Sequence, residues 1–86
     1  MNRVEIDGII TSVKISECHE GYGYLLEVRS SYSLTIGISY PMSISVFLQS
    51  RELRSDLVPG KEVHVLGQVR CVSDYADIYA HEVTTK

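Results

Sequence analysis

Residues 24–40 read Tyr-Leu-Leu-Glu-Val-Arg-Ser-Ser-Tyr-Ser-Leu-Thr-Ile-Gly-Ile-Ser-Tyr, and they decide the fold. Every even position except Ser30 is apolar, whereas Leu25 is the one clearly apolar residue at the odd positions. An alternation of period two predicts β-strand, with one face on a core and the other in water or against a partner. The run is longer than an ordinary strand, so we expect it to bend or turn near residues 29–33; a turn at Ser30-Ser31 is one way to divide it, and Gly37 is a candidate bulge.

The same alternation predicts the strands on either side of this run. The first strand spans residues 3–13 and is followed by a polar, glycine-containing loop at residues 17–23. A third strand spans residues 42–48 with its even positions inward, and two later strands span residues 61–72 and 78–84. Between the third and fourth strands, Ser50 is a candidate N-cap and Leu53 and Leu57 form an i,i+4 apolar pair, which predicts a short helix ended by Pro59-Gly60. Arg51 and Arg54 would lie on that helix, away from a binding cleft.

The order strand, strand, strand, short helix, strand, strand indicates the fold class. It predicts an all-β, five-stranded OB-fold barrel with one short helix between strands 3 and 4. The 86 residues fit a single domain, residues 1–86. The net charge is −3, with 8 basic and 11 acidic residues, which argues against strong nucleic-acid affinity over the whole surface but allows a local basic strip.

Several classes of function are disfavoured by what the sequence contains. It has no phosphate-binding loop, nucleophile elbow or paired catalytic carboxylates, so we predict no enzyme and no cofactor. Its 2 cysteines are far apart, and the adjacent Cys18-His19 lacks the spaced pairs of a zinc site, so we predict no metal. There is no membrane-spanning stretch, and the first residues enter the strand pattern without a signal peptide, which predicts a cytoplasmic protein with reduced thiols.

Four stretches resemble strands of the bacterial single-stranded-DNA-binding proteins. Residues 2–8 (Asn-Arg-Val-Glu-Ile-Asp-Gly) are similar to the opening strand of that family, and residues 43–48 to its third strand. Residues 59–70 resemble its fourth strand, and residues 77–83 (Asp-Ile-Tyr-Ala-His-Glu-Val) its closing strand. The chain therefore resembles a minimal and divergent member of this family, or of the related primosomal replication protein N.

This resemblance implies single-stranded DNA binding, with RNA as an alternative ligand, in replication, recombination or repair. Phe47 falls where the family carries a base-stacking aromatic residue, and its odd phase places it on the outer face; packing under the helix or in an oligomer interface is the alternative. Arg3 matches the basic residue of the opening strand. The family associates through the first strand, so the resemblance also implies a homodimer or homotetramer, and protein partners from the replication machinery.

Other candidate binding residues follow from their positions in the predicted barrel. Tyr22 and Tyr75 lie in the two loops that flank the binding surface of an OB barrel, where they either stack bases or cover the barrel end. Arg29 shares the outer face of the second strand with Glu27, so it contacts phosphate or pairs with that carboxylate. The remaining candidates are groove-lining cations, for which the alternative is a purely solubilising role: Lys14, Lys61 and Arg70.

The chain also departs from the family pattern. It has no tryptophan, the predicted loops between strands two and three and between strands four and five are short, and no acidic tail follows the last strand. We therefore predict weak, sequence-nonspecific binding. The alternative is an OB-fold protein-interaction or structural module that has lost nucleic-acid binding.

Overall fold

Five strands close into a barrel in the computed structural model, which describes residues 3–33, 39–72 and 75–86. The strands are β1 (Arg3–Cys18), β2 (Gly21–Ser33), β3 (Ser39–Ser50), β4 (Glu62–Val72) and β5 (Tyr75–Thr85). They follow one another around the barrel in the order β1-β2-β3-β5-β4; β3 and β5 run parallel and the other neighbours antiparallel. The predicted five-stranded OB barrel is confirmed. The described residues contain no helix that could span a membrane.

The core lies inside the barrel and consists of inward residues of the five strands together with Leu57 of the segment after β3. Tyr24, Leu26 and Val28 are fully buried on β2, as predicted from their even positions. The same phase buries Val46 and Leu48 on β3. Each of the other strands adds inward residues to this core: Ile10, Val63, Val65, Ile78, Ala80 and Val83.

The hairpin between β2 and β3 is longer than predicted. Pairing continues through Tyr32–Tyr40 to Ser33–Ser39, so the predicted turn at Ser30 and Ser31 is wrong, and Gly37 lies outside the described residues. The two residues of each β2–β3 pair are both even-numbered or both odd-numbered. The alternation of apolar and polar residues therefore continues along the sequence without a break, and it cannot show where the chain turns. The described pairing of β2 with β1 stops at Arg29, and beyond it β2 and β3 form a two-stranded ribbon. Met42 lies on this ribbon and is 42% exposed, against the prediction that it points inward.

The first connection is a tight turn, not the loop predicted at residues 17–23. Cys18 pairs with Gly21, which leaves His19 and Glu20 as the turn. Gly21 has φ of 141°, and a Cβ there would collide with the carbonyl oxygen of Ser50. The end of β1 escaped prediction because all side chains at residues 14–18 are exposed, so no alternation marks it as strand.

The predicted helix after β3 is absent, because residues 51–61 form bends and turns. The Ser50 hydroxyl donates to the carbonyl of Glu52 at 2.7 Å, and no helix follows it to be capped. The backbone N–H of Arg54 donates to the Tyr24 hydroxyl at 2.7 Å, and its guanidinium donates to the Val83 carbonyl at 2.7 Å. These bonds fix the segment in a non-helical path. One leucine anchors it: Leu57 is 2% exposed, whereas Leu53 is 61% exposed.

Candidate nucleic-acid interface

One line of outward-facing side chains crosses all five strands of the barrel. Strand register places Lys14 beside Leu25, Leu25 beside Phe47, Phe47 beside Tyr79, and Tyr79 beside Gln68. The chain neighbours of Phe47 and Tyr79 point into the core, so these two rings point outward. We call this line the outer row. It brings the predicted residues Phe47 and Lys14 onto one surface.

The centre of the outer row is a pair of aromatic rings, Phe47 and Tyr79. Their centroids are 5.7 Å apart and their planes are inclined by 38°. Both side chains are half-buried, so each is held in place and still reaches the surface. Gly23 lies against one side of the Phe47 ring, where a Cβ on residue 23 would be 3.6 Å from the ring. Aromatic faces of this kind can stack bases of any sequence, each worth about 1–3 kcal/mol.

Arg70 lies against both rings of the pair. Its Cζ atom is 5.6 Å from the centroid of Phe47 and 5.6 Å from that of Tyr79, within the range of a cation–π interaction. Its Nε and Nη2 atoms donate to the two carboxylate oxygens of Asp77 at 3.0 and 2.9 Å. Asp77 is 7% exposed, so the guanidinium is held in one orientation by a buried partner that also balances its charge.

Sequence reasoning predicted Phe47 and Arg70 but missed Tyr79 and Asp77. A signal for Tyr79 was present, because it alternates with the apolar Ile78 and Ala80 and therefore faces outward. No local pattern marks Asp77 as the partner of Arg70, since the contact joins two strands through the register of β4 with β5.

The other predicted cations are distributed around the barrel. Arg3 pairs with Gln68 at the end of the outer row and lines a cleft with it. Arg29 lines a separate cleft that also contains Asp7, Ile9, Glu62 and Lys86. Lys61 lies in the turn before β4, where its carbonyl accepts a hydrogen bond from the N–H of Ile10 at 2.9 Å.

Glu27 lies beside the outer row, and its bonds bear on the alternative predicted for Arg29. Its carboxylate accepts hydrogen bonds from the Ser45 hydroxyl at 2.7 Å and the Ser43 hydroxyl at 3.2 Å. In the described residues the hydrogen bonds of the Glu27 carboxylate therefore come from serines of β3, and not from Arg29 as the alternative had it. It places an acidic group next to Leu25 and Phe47, which opposes strong phosphate binding at that end.

The two tyrosines predicted in loops have different outcomes. Tyr22 lies inside β2, half-buried and packed against the core, so its predicted loop position is wrong. The reason is the tight turn at residues 19–20, which leaves no loop around Tyr22. Tyr75 is the first residue of β5 and pairs with Val72, and its side chain lies outside the described part.

A second charged cluster occupies the outer face of β1 and β4. His64 Nδ1 is 2.8 Å from a carboxylate oxygen of Asp7, and Nε2 is 2.9 Å from one of Glu5. The Lys86 ammonium lies 2.7 Å from the same Asp7 oxygen. The hydrogen bond to Asp7 raises the pKa of His64, and the bond from Lys86, followed by that from His64, lowers the pKa of Asp7. In this cluster the charges are paired with one another.

Comparison with known proteins bears on the fold. No protein-family model matches the chain, and no curated protein matches it. The chain is similar to a small single-stranded DNA-binding protein from Streptomyces coelicolor, with a TM-score of 0.74, 15% identity, and coverage of 98% of this chain and 91% of that one. A small single-stranded DNA binding protein from Mycoplasma pneumoniae gives a TM-score of 0.67, 16% identity, and coverage of 98% and 92%. The chain therefore has the fold of these small single-stranded DNA-binding proteins, as the sequence resemblance implied.

Proposed function

We propose that this protein binds single-stranded DNA on the outer row, weakly and without sequence preference. The observation that carries the proposal is the ring pair, Phe47 and Tyr79, which faces outward with the Arg70 guanidinium against both rings. The two solved structures of similar fold are of proteins described as single-stranded DNA-binding, which supports the same role here. We further place this activity in cytoplasmic replication, recombination or repair, with no catalytic step.

The ring pair sets the expected affinity. Two stacked bases contribute about 2–6 kcal/mol in all, at about 1–3 kcal/mol each. Since a Kd of about 1 mM corresponds to about 4.1 kcal/mol, stacking on the ring pair alone supports a Kd no lower than about tens of micromolar. The net charge of −3 adds little attraction for phosphates. A homodimer or homotetramer would present several ring pairs to one strand and raise the overall affinity, so we include self-association in the proposal.

The test is a titration of fluorescein-labelled oligo-dT with the protein in low salt, followed by fluorescence anisotropy and repeated at rising salt. Phe47→Leu keeps an apolar side chain but removes the π face, so it is expected to weaken binding by about 1–3 kcal/mol. Leu53→Ala is the matched control, because Leu53 is 61% exposed on the segment after β3. Thermal melting confirms that both variants fold. The proposal requires a binding free energy of at least about 4.1 kcal/mol, which corresponds to a Kd of about 1 mM, so it is wrong if the wild-type protein shows no binding up to that concentration.

A second candidate function is a protein-interaction module on the same barrel. The exposed Leu25 next to Phe47, and the neutralisation of Arg70 by Asp77, favour it, because an apolar strip with balanced charge suits a protein partner better than a phosphate chain. The same titration separates the two functions. An oligo-dT signal that weakens with salt supports the first, and oligo-U in parallel reports the preference for DNA over RNA.

A further inference from the structure

A β-bulge in β5 turns His81 outward beside the ring pair. Leu66 pairs with Glu82 and Gly67 with Ala80, so His81 is the extra residue of β5. Ala80 and Val83 are buried, while the two residues between them are exposed. Gly67 permits this close approach, since a Cβ there would collide with the carbonyl oxygen of Tyr79.

The bulge coincides with a cleft between β3 and β5. The described pairing of these strands ends at Leu48 and Ala80, and beyond that point they separate. The cleft that opens has a volume of about 340 Å³. Its lining is mainly polar: Glu20, Gln49, Arg51, Tyr79, Ala80 and His81. Because Tyr79 belongs to both, the cleft is a direct continuation of the ring pair.

The chemistry of the cleft differs from that of the rings. Arg51 contributes a guanidinium, Gln49 an amide, and His81 an imidazole whose ring is 6.2 Å from that of Tyr79 in an edge-to-face arrangement. These groups can all donate hydrogen bonds to phosphate oxygens. Arg70, the cation at the other side of the rings, is already bound to a buried carboxylate, so Arg51 is the better placed cation for a phosphate. Arg51 was expected on a helix away from the binding cleft; that helix does not form, and Arg51 lines the cleft beside Tyr79.

We propose that this cleft binds the phosphodiester adjoining the base stacked on Tyr79, with Arg51 as its main cation and Gln49 and His81 as further donors. The proposal rests on the proposed function and extends the DNA path from the ring pair towards the β1–β2 turn. Glu20 lies in the same cleft and opposes the phosphate, so it limits the affinity of this subsite.

The experiment compares Arg51→Gln, Glu20→Gln and the control Lys86→Gln by anisotropy with fluorescein-labelled oligo-dT over a range of salt concentrations. Lys86 is a matched control because it carries the same charge and pairs with Asp7 on another face. Arg51→Gln is expected to weaken binding by about threefold to tenfold and to reduce the slope of log K against log salt by about 0.7, the value for one phosphate contact on a single strand. Glu20→Gln is expected to tighten binding, and Lys86→Gln to leave the slope unchanged.

The outcomes separate this subsite from the function on which it rests. If the wild-type protein does not bind oligo-dT at all, both proposals are overturned. If it binds and Phe47→Leu weakens binding, but Arg51→Gln has the affinity and salt slope of Lys86→Gln, the subsite is overturned and the proposed function stands. His81→Gln, which keeps a hydrogen-bond donor, is expected to weaken binding less than His81→Ala.

Discussion

Replacing Asp77 by asparagine is expected to strengthen the binding of single-stranded DNA. Asp77 holds Arg70 through two hydrogen bonds of 3.0 and 2.9 Å, and its side chain is 8% exposed against 44% for Arg70. The carboxylate cancels the charge of the cation that lies against the ring pair. An asparagine has nearly the same shape and can still accept one of the two hydrogen bonds, so the guanidinium keeps its place while the repulsion between the carboxylate and a bound phosphate is removed.

The magnitude follows from the geometry of this pair. A phosphate held near the rings at about 6 Å from the carboxylate is repelled by about 0.7 kcal/mol at the dielectric constant of water, and by more in a less polar setting. Asp77→Asn is therefore expected to tighten oligo-dT binding by at least about threefold, since about 1.4 kcal/mol is a factor of ten. One additional effective phosphate contact steepens the slope of log K against log salt by about 0.7.

The assay is fluorescence anisotropy with labelled oligo-dT at several salt concentrations. Glu62→Gln is the control, because it removes the same charge from an exposed position at the start of β4. Thermal melting of both variants checks that the barrel is intact. If Asp77→Asn has the affinity and salt slope of Glu62→Gln, the buried carboxylate does not restrain Arg70 and the reasoning is refuted.

Three further predictions concern stability. Gly21→Ala is expected to lower the free energy of unfolding by at least about 1–3 kcal/mol, because Gly21 has φ of 141° and a Cβ there would collide with the Ser50 carbonyl. Gly60→Ala is expected to lower it less, because Gly60 has φ of 92° but open space around it. Equal losses of stability for the two variants in urea unfolding would contradict this prediction. Leu57→Ala is expected to cost about 2–5 kcal/mol and Leu53→Ala under about 0.5 kcal/mol, as measured by urea unfolding; similar costs would mean that Leu57 is not the anchor of its segment. The pKa of His64 is raised by Asp7, so the stability it contributes is present below its ordinary value of 6.5 and is lost as pH rises through the raised value. His64→Gln should remove this part of the pH dependence of Tm, and an unchanged Tm profile above pH 6.5 would show that the pairing adds no stability.

The sequence was sufficient for the barrel and for half of its surface chemistry. Period-two alternation identified the buried faces of β2 and β3, and from the same phase Phe47 was placed outward correctly. These features are local to one strand, so they can be derived from neighbouring residues.

The features that were missed depend on contacts between strands. The pairing of Asp77 with Arg70 and of Phe47 with Tyr79 follows from register, which no single strand specifies. The absent helix has the same origin: Ser50, Leu53 and Leu57 have a helical spacing, but the Tyr24 hydroxyl and the Val83 carbonyl bind Arg54 from other strands. Because that helix does not form, Arg51 reaches a cleft to which sequence reasoning did not assign it.

The short parallel seam between β3 and β5 has a consequence for the motions of the barrel. In the described residues it comprises Val46–Ile78, Phe47–Tyr79 and Leu48–Ala80, and it joins segments that are distant in the chain. It is the shortest of the five described strand pairings, so it is expected to open before the others in native-state hydrogen exchange. Phe47 and Tyr79 stand on opposite sides of this seam. A strand of DNA that contacts both rings would stabilise the pairing of β3 with β5. Its binding is therefore expected to slow amide hydrogen exchange along the seam.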